Sequence, residues 1–356
     1  MSHAVWDIVA ADCAAWLPEQ AKFGLQADCV ITDAPYHLAS IAKRFGGANA
    51  APAKHGRDGA AARLSKGFMG SPTDSGDVSF LPETWRAVAT AMKPGARLLA
   101  FGGTRTWWKL AAAIDAAGFE VEDTLAWVYG QGLVLRRSRL KPCWEPIVMA
   151  RMSGPVQNLN VDDCRNERGN WPGNLLHDDS DAVLSCFPDS QGQIARRRTD
   201  GVAQKNKVYG ALKHPETDNP EPRDDSGSAA RFFTACKLSE AEKRLVWCPK
   251  ATAAERMCHC AVCFEHFRGD RRADHAHGLD DWEHVTGHPT TKPQSLLRHL
   301  VRLVCPPGGL ALDPFAGSCT TIEAAVAEGR DAIGVEIDAS HAESGRARLT
   351  SVVSLR

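Results

Sequence analysis

Strand and helix signals alternate at both ends of this chain and fade between residues 151 and 285. Alternation of that kind argues for a mainly parallel α/β sheet, here assembled from two distant pieces of sequence. In the first piece Val5–Val9 is a short apolar run, and Ala14–Gln20 reads as a helix. Asp28-Cys-Val-Ile-Thr32 is a β-branched run that stops abruptly at Asp33-Ala34-Pro35-Tyr36. An Asp followed by a Pro does not extend a buried strand, so the chain turns there. Residues 40–80, rich in Gly, Ala, Ser and basic side chains, read as a surface loop. A helix over 82–93 starts at Pro82, a strand over Ala96–Phe101 ends at Gly102-Gly103, a helix runs from Trp107 to Ala117, and a strand spans Glu120–Val128.

The second piece repeats the pattern. A helix is expected from Pro293 to Leu303, with Leu296, Leu297, Leu300, Val301 and Val304 at helical spacing. Leu310–Leu312 is a short strand, Asp313–Thr321 a loop, Ile322–Glu328 a helix, and Ala332–Glu336 the next strand. A strand ending in Asp313 and entering the small-residue turn Ala316-Gly317-Ser318 suits a nucleotide-like ligand at a strand's carboxyl end. Glu336, at the end of the following strand, stands where a carboxylate grips ribose hydroxyls. The loop carries neither G-x-G-x-x-G nor a P-loop G-K-[ST]. At the N-terminal turn, a planar amino-bearing ring would stack on Tyr36. Its amino group would donate to the Asp33 carboxylate and the Ala34 carbonyl, which draws the nitrogen lone pair out of conjugation.

These residues resemble the motifs of the amino-group (N6-adenine/N4-cytosine) DNA methyltransferase family. Asp33-Ala-Pro-Tyr36 resembles the D-P-P-Y motif. Asp313-Pro-Phe-Ala-Gly-Ser-Cys-Thr-Thr321 resembles D-P-F-x-G-S-G-T-T, and His288-Pro-Thr-Thr-Lys-Pro293 resembles H-P-x-x-K-P. Ala11-Asp12-Cys13 stands where the family carries a G-D-C-like element. Lys141–Pro146 and Ser228–Phe233 resemble segments of phage and bacterial members. The motif order is that of the β group, and the resemblance spans nearly the whole chain.

The resemblance implies a Rossmann-like fold that binds S-adenosylmethionine, with an inserted irregular target-recognition subdomain. It divides the chain into a catalytic half, 1–150, a recognition insert, 151–285, and a cofactor half, 286–356. It implies a site-specific enzyme of the restriction–modification kind that flips a base from double-stranded DNA and methylates its amino group. Asp33, Ala34, Pro35 and Tyr36 would form the catalytic turn. Asp12, Lys292, Asp313, Phe315, Ala316, Gly317, Ser318 and Glu336 would hold the cofactor. A leading Asp favours adenine N6, with cytosine N4 as the alternative. A catalytically weak DNA-binding or interaction protein is the alternative from another class. Two departures from the pattern keep it open. Ala34 replaces a Pro whose role is its backbone carbonyl, and Cys319 replaces a Gly. A Cβ and thiol at 319 are expected to crowd the methionine end of the cofactor or to demand a less extended φ.

Cys258, Cys260, Cys263 and His266 have usable zinc-ligand spacing, so one structural zinc is an expectation. The remaining cysteines are expected to be thiols in a reducing compartment. Forty-two Lys and Arg against 43 Asp and Glu leave a net charge of −1, so DNA would need a local basic surface. Arg136, Arg137 and Arg139, and Arg196, Arg197 and Arg198, are the candidates for phosphate contacts. No apolar run reaches membrane-spanning length and no signal peptide is read, which makes the chain cytoplasmic with no membrane partner by expectation. A homodimer is left open.

Overall fold

The computed structural model describes residues 4–36, 77–130, 140–166, 169–190, 226–238 and 292–354. It also describes the backbone of four short strands at 205–206, 210–211, 258–260 and 282–284. Nine strands form one sheet. In chain order they are β1 (Trp6–Ala10), β2 (Ala27–Thr32), β3 (Met92–Phe101), β4 (Glu120–Val128), β5 (Trp144–Arg151), β6 (Leu175–His177), β7 (Thr234–Ala235), β8 (Leu310–Asp313) and β9 (Asp331–Glu336). Their spatial order is β1-β9-β8-β2-β3-β5-β4-β6-β7. Every pairing is parallel except the two made by β5, so the other eight strands all end on one side of the sheet.

Seven α-helices are described: α1 (Cys13–Lys22), α2 (Pro82–Thr90), α3 (Trp107–Ala116), α4 (Asp181–Leu184), α5 (Gln294–Val304), α6 (Thr320–Ala327) and α7 (Ala339–Ser354). The strand pleat sends alternate residues to opposite faces, and both faces are apolar. Val30, Leu98, Ala100 and Leu312 pack with Leu17 of α1, Trp85 of α2 and Ile114 of α3. Cys29, Ile31, Leu99, Phe101 and Ala311 pack with Leu296 and Leu300 of α5, Ile322 of α6 and Leu349 of α7. Helices on both faces explain why the strands read as continuous apolar runs rather than alternating ones.

The chain leaves β2 toward β3 on one side and leaves β8 toward β9 on the other. The neighbouring carboxyl ends of β2 and β8 therefore flank the switch point at which open α/β sheets hold ligands. Thr32 and Asp313 stand at those ends.

Three elements differ from the sequence reading. The helix expected over 82–93 ends at Thr90, and β3 begins at Met92. Pro94 and Gly95 put an irregularity in the strand, with Gly95 at φ +77° and its Cα facing the Pro155 carbonyl too closely for any Cβ. Strand β5 was not anticipated. Pro146 weakens its strand signal, and Arg151 breaks its apolar run. Arg151 and Arg97 are nonetheless buried, because both donate through Nε to Glu122 at 2.8 Å. Helix α7 was not anticipated either, since Gly345 interrupts a weakly amphipathic sequence.

In the segment 151–285, β6 and β7 extend the sheet at its far edge. Cys258–Cys260 pairs antiparallel with Trp282–His284. Cys263 and His266 lie outside the described residues, as do Arg136, Arg137, Arg139, Arg196, Arg197 and Arg198. Among the described residues no group of His, Cys, Asp or Glu side chains could hold a metal ion. Eight described cysteines are free thiols. Among the described residues no helix is long and apolar enough to cross a membrane.

His299 of α5 is buried, and its Nε2 has no hydrogen-bond partner among the described residues. Burial, helped by the Arg302 charge, lowers its pKa from 6.5 to about 4. The unfolded chain takes up the proton first, so the neutral imidazole's contribution is complete above pH 6.5 and is lost as pH falls toward 4. His299→Leu is expected to remove an acid-side loss of roughly 3 kcal/mol. Urea unfolding of variant and wild type between pH 7 and 4 measures the difference, and parallel stability curves would contradict it.

Candidate active site at the β2–β8 switch point

Six buried residues of β2 lead to the turn Asp33-Ala34-Pro35-Tyr36. Side chains from two other segments fix this turn. Ser79 Oγ donates to the Pro35 carbonyl at 2.5 Å, and the Ser79 carbonyl accepts from the Trp85 indole at 2.8 Å. Thr106 Oγ1 donates to the Tyr36 carbonyl at 3.4 Å. Gly103 lies against the Tyr36 ring, where a Cβ would sit 3.6 Å from it.

The Asp33 carboxylate is used unevenly. Oδ2 accepts from Lys292 Nζ at 2.7 Å. Oδ1 is buried and has no hydrogen-bond partner among the described residues. An unpaired buried acceptor is costly and calls for an explanation, a missing donor being the simplest. Lys292 also reaches Glu145 Oε2 at 3.3 Å, and Tyr36 Oη donates to the same oxygen at 3.5 Å. The ammonium stands 5.3 Å from the centre of the Tyr36 ring and 5.1 Å from that of Phe101. Burial works against the charge on Lys292, but the carboxylates of Asp33 and Glu145 outweigh it and hold the pKa above the ordinary lysine value. Burial and the same two carboxylates push Tyr36 well above an ordinary phenol.

On the neighbouring strand, Asp313 Oδ1 accepts from Thr32 Oγ1 at 2.7 Å and from the Phe315 amide at 3.1 Å. Burial raises the Asp313 carboxyl to about 6, while the hydroxyls of Thr32 and Thr321 and the Phe315 amide oppose that rise. Glu336, at the tip of β9, ties the loop down. Its Oε2 accepts from the Gly317 amide at 2.8 Å and its Oε1 from the Asp338 amide at 3.0 Å. Each oxygen keeps a lone pair for a further donor. The Ala11 amide donates to the Glu336 carbonyl at 2.9 Å, and Asp12 caps α1 by accepting from the Ala14 amide. Asp12 and Glu336 therefore sit on adjacent strand ends. Phe315 packs edge-on against Trp85, ring centres 6.3 Å apart. Ser318 Oγ lies 2.7 Å from Thr320 Oγ1.

The residues read as the catalytic turn and the cofactor group thus gather at four neighbouring strand ends, those of β1, β9, β8 and β2, with one difference in grouping. Lys292, read with the cofactor residues, stands against Asp33. The geometry at Cys319 also differs from expectation. Its backbone does adopt a left-handed conformation, φ +61°, but its side chain is buried, with the thiol beside Gly345 of α7 and donating to the Gly317 carbonyl at 3.7 Å. Sequence reading missed Glu145 and Thr32 as parts of the site. Glu145 carried one signal, a carboxylate one residue before a Pro in an already noticed segment.

A doubly wound α/β sheet with acidic side chains at the strand tips of its switch point is the Rossmann-like architecture. Within that class, residues 27–346 match the N6_N4_Mtase family model, described as DNA methylase. The chain belongs to that family. It is 44% identical over 71 residues to DNA adenine methyltransferase YhdJ of Escherichia coli K12, covering 20% of this chain and 23% of that protein. It is 42% identical over 65 residues to putative methylase YubD of the same organism, covering 18% of this chain and 29% of that one. The matched region thus spans less than a third of either curated relative. Among solved structures, the M1.HpyAVI–SAM complex aligns with TM-score 0.47 at 15% identity, covering 97% of this chain and 99% of that one. The cytosine-N4-specific PvuII DNA methyltransferase aligns with TM-score 0.46 at 13% identity, covering 99% and 94%.

Proposed function

We propose that this protein transfers a methyl group from S-adenosylmethionine to the exocyclic amino group of a base in double-stranded DNA, adenine N6 being the favoured target. The observation that carries this reading is the buried Asp33 Oδ1, which has no hydrogen-bond partner among the described residues, at a strand end next to Tyr36. Family membership and the relative described as a DNA adenine methyltransferase support it. A leading Asp in the turn favours adenine.

The residues of the second strand end fit the methyl donor. Glu336 keeps acceptor capacity for two ribose hydroxyls, Phe315 offers an aromatic face, and Asp12 stands on the adjacent tip. The Cys319 thiol is buried beside Gly345 and donates to the Gly317 carbonyl at 3.7 Å, so the protein itself accommodates the side chain that replaces the family's Gly. When bound, S-adenosylmethionine supplies a methyl group on a positively charged sulfur. Tyr36 stacks on the flipped base, and Asp33 Oδ1 with the Ala34 carbonyl accepts hydrogen bonds from its amino group. Those two acceptors orient the nitrogen lone pair toward the donor, so positioning supplies much of the rate. We assign residues 1–150 and 286–356 to the catalytic domain and 151–285 to target recognition. Arg136, Arg137 and Arg139 of the catalytic half and Arg196, Arg197 and Arg198 of the recognition segment are the phosphate contacts.

Incubation with methyl-labelled donor and duplex DNA, followed by digestion to nucleosides, tests the reading. N6-methyladenine is the expected product. N4-methylcytosine would overturn the base assignment, and absence of label in DNA would overturn the reaction.

A further inference from the structure

We propose that Glu145 is a positioning residue for this reaction, acting on Asp33 through the shared Lys292 cation. The inference rests on the methyltransferase reading above. Lys292 Nζ bridges Asp33 Oδ2 at 2.7 Å and Glu145 Oε2 at 3.3 Å. Two carboxylates around one buried ammonium leave the cluster with one surplus negative charge. Tyr36 Oη donates to Glu145 at 3.5 Å, so the carboxylate touches both the cation and the stacking ring.

That arrangement does two things. First, it divides the labour of the Asp33 carboxylate. Lys292 holds Oδ2, which turns Oδ1 to the position where it has no protein partner. Glu145 shares the same ammonium, which restrains Lys292 from swinging across Asp33 to occupy Oδ1 as well. Second, the surplus charge suits the reaction. As the amino nitrogen forms its bond to the methyl carbon, the carbon–sulfur bond breaks and its electron pair returns to sulfur. Positive charge moves from sulfur to nitrogen until the nitrogen releases a proton to water. A net negative cluster beside that nitrogen stabilises the developing charge, whereas an Asp33–Lys292 pair alone would be neutral. Glu145 comes from β5, the one antiparallel strand, which enters the site from the direction opposite to its neighbours.

The test compares Glu145→Gln, Glu145→Asp and wild type in single-turnover methyl transfer, with donor and DNA affinities measured separately. Glu145→Gln is expected to slow the chemical step by about 10–100-fold while both affinities stay within about 3-fold. Glu145→Asp, which keeps the charge at shorter reach, is expected to recover part of that loss. In a Lys292→Gln background, Glu145→Gln is expected to cost less than it does alone, because the bridging cation is gone. Wild-type rates in Glu145→Gln, or equal losses in both backgrounds, would overturn the proposal and leave the methyltransferase reading standing. A wild-type protein that transfers no methyl group would sink both. Should Glu145→Gln fail to fold by circular dichroism, Glu145→Asp decides alone: a loss of about 3–10-fold supports the proposal, and an unchanged rate overturns it.

Discussion

Replacing Asp33 by alanine is expected to lower methyl transfer by about 1000-fold or more while the methyl donor binds within about 3-fold of wild type. The separation follows from the geometry. Asp33 closes β2, whereas Asp313 and Glu336, with Phe315 between them, line the ends of β8 and β9. Both oxygens of Glu336 bond within that second group, and Asp313 is hydrogen-bonded to β2 through Thr32, the Asp33 charge being the last of the influences on it. Removing the Asp33 carboxylate therefore takes away an acceptor for the target amino group without loosening the loop. The fold should survive, since Lys292 keeps Glu145 as its counter-ion. Asp33→Asn, which keeps an acceptor oxygen but loses the charge, is expected to fall between alanine and wild type. Single-turnover transfer and calorimetric titration of the donor separate the two quantities. A donor affinity lost together with the rate would mean that Asp33 serves the donor side instead.

The strand ends were legible because their chemistry interrupts a buried apolar run. Asp-Ala-Pro after Val-Ile-Thr, and Asp-Pro after Leu-Ala-Leu, leave the sheet nowhere to go but into a turn. The association between those turns was not legible by the same logic. Lys292 and Asp33 meet across 259 positions, which local periodicity does not register. Glu145 stayed hidden because its strand contains Pro146 and ends at Arg151, whose burial makes sense only once Glu122 is seen between two guanidinium groups. Thr32 read as the last residue of a strand, and its hydroxyl gained meaning only when β8 was placed beside β2. Helix α7 escaped notice because Gly345, poor for a helix by propensity, is required there by a neighbour from another segment.

That neighbour is Cys319, and the pair makes a coupled stability prediction. A Cβ on Gly345 would lie 2.2 Å from Cys319 Sγ and 3.2 Å from its Cβ. Gly345→Ala gains helix propensity worth about 1 kcal/mol, but the overlap in a packed core costs about 1–3 kcal/mol or more. The expected net result is destabilisation. Cys319→Gly alone trades two opposing terms. It relieves a left-handed backbone at φ +61°, which costs a non-glycine residue about 1–2 kcal/mol, and it loses a buried thiol packed against Gly345. Those terms nearly cancel. In the double variant the alanine methyl refills the space the thiol vacates, the backbone strain is gone, and the helix gains its better former. Cys319→Gly with Gly345→Ala is therefore expected to be about 1–2 kcal/mol more stable than wild type, although one of its components destabilises alone. Urea unfolding of the four proteins reads the cycle directly. Additive single effects would show that the thiol and the glycine do not share one space, and that Cys319 is tolerated in the loop for some reason other than the gap left by α7.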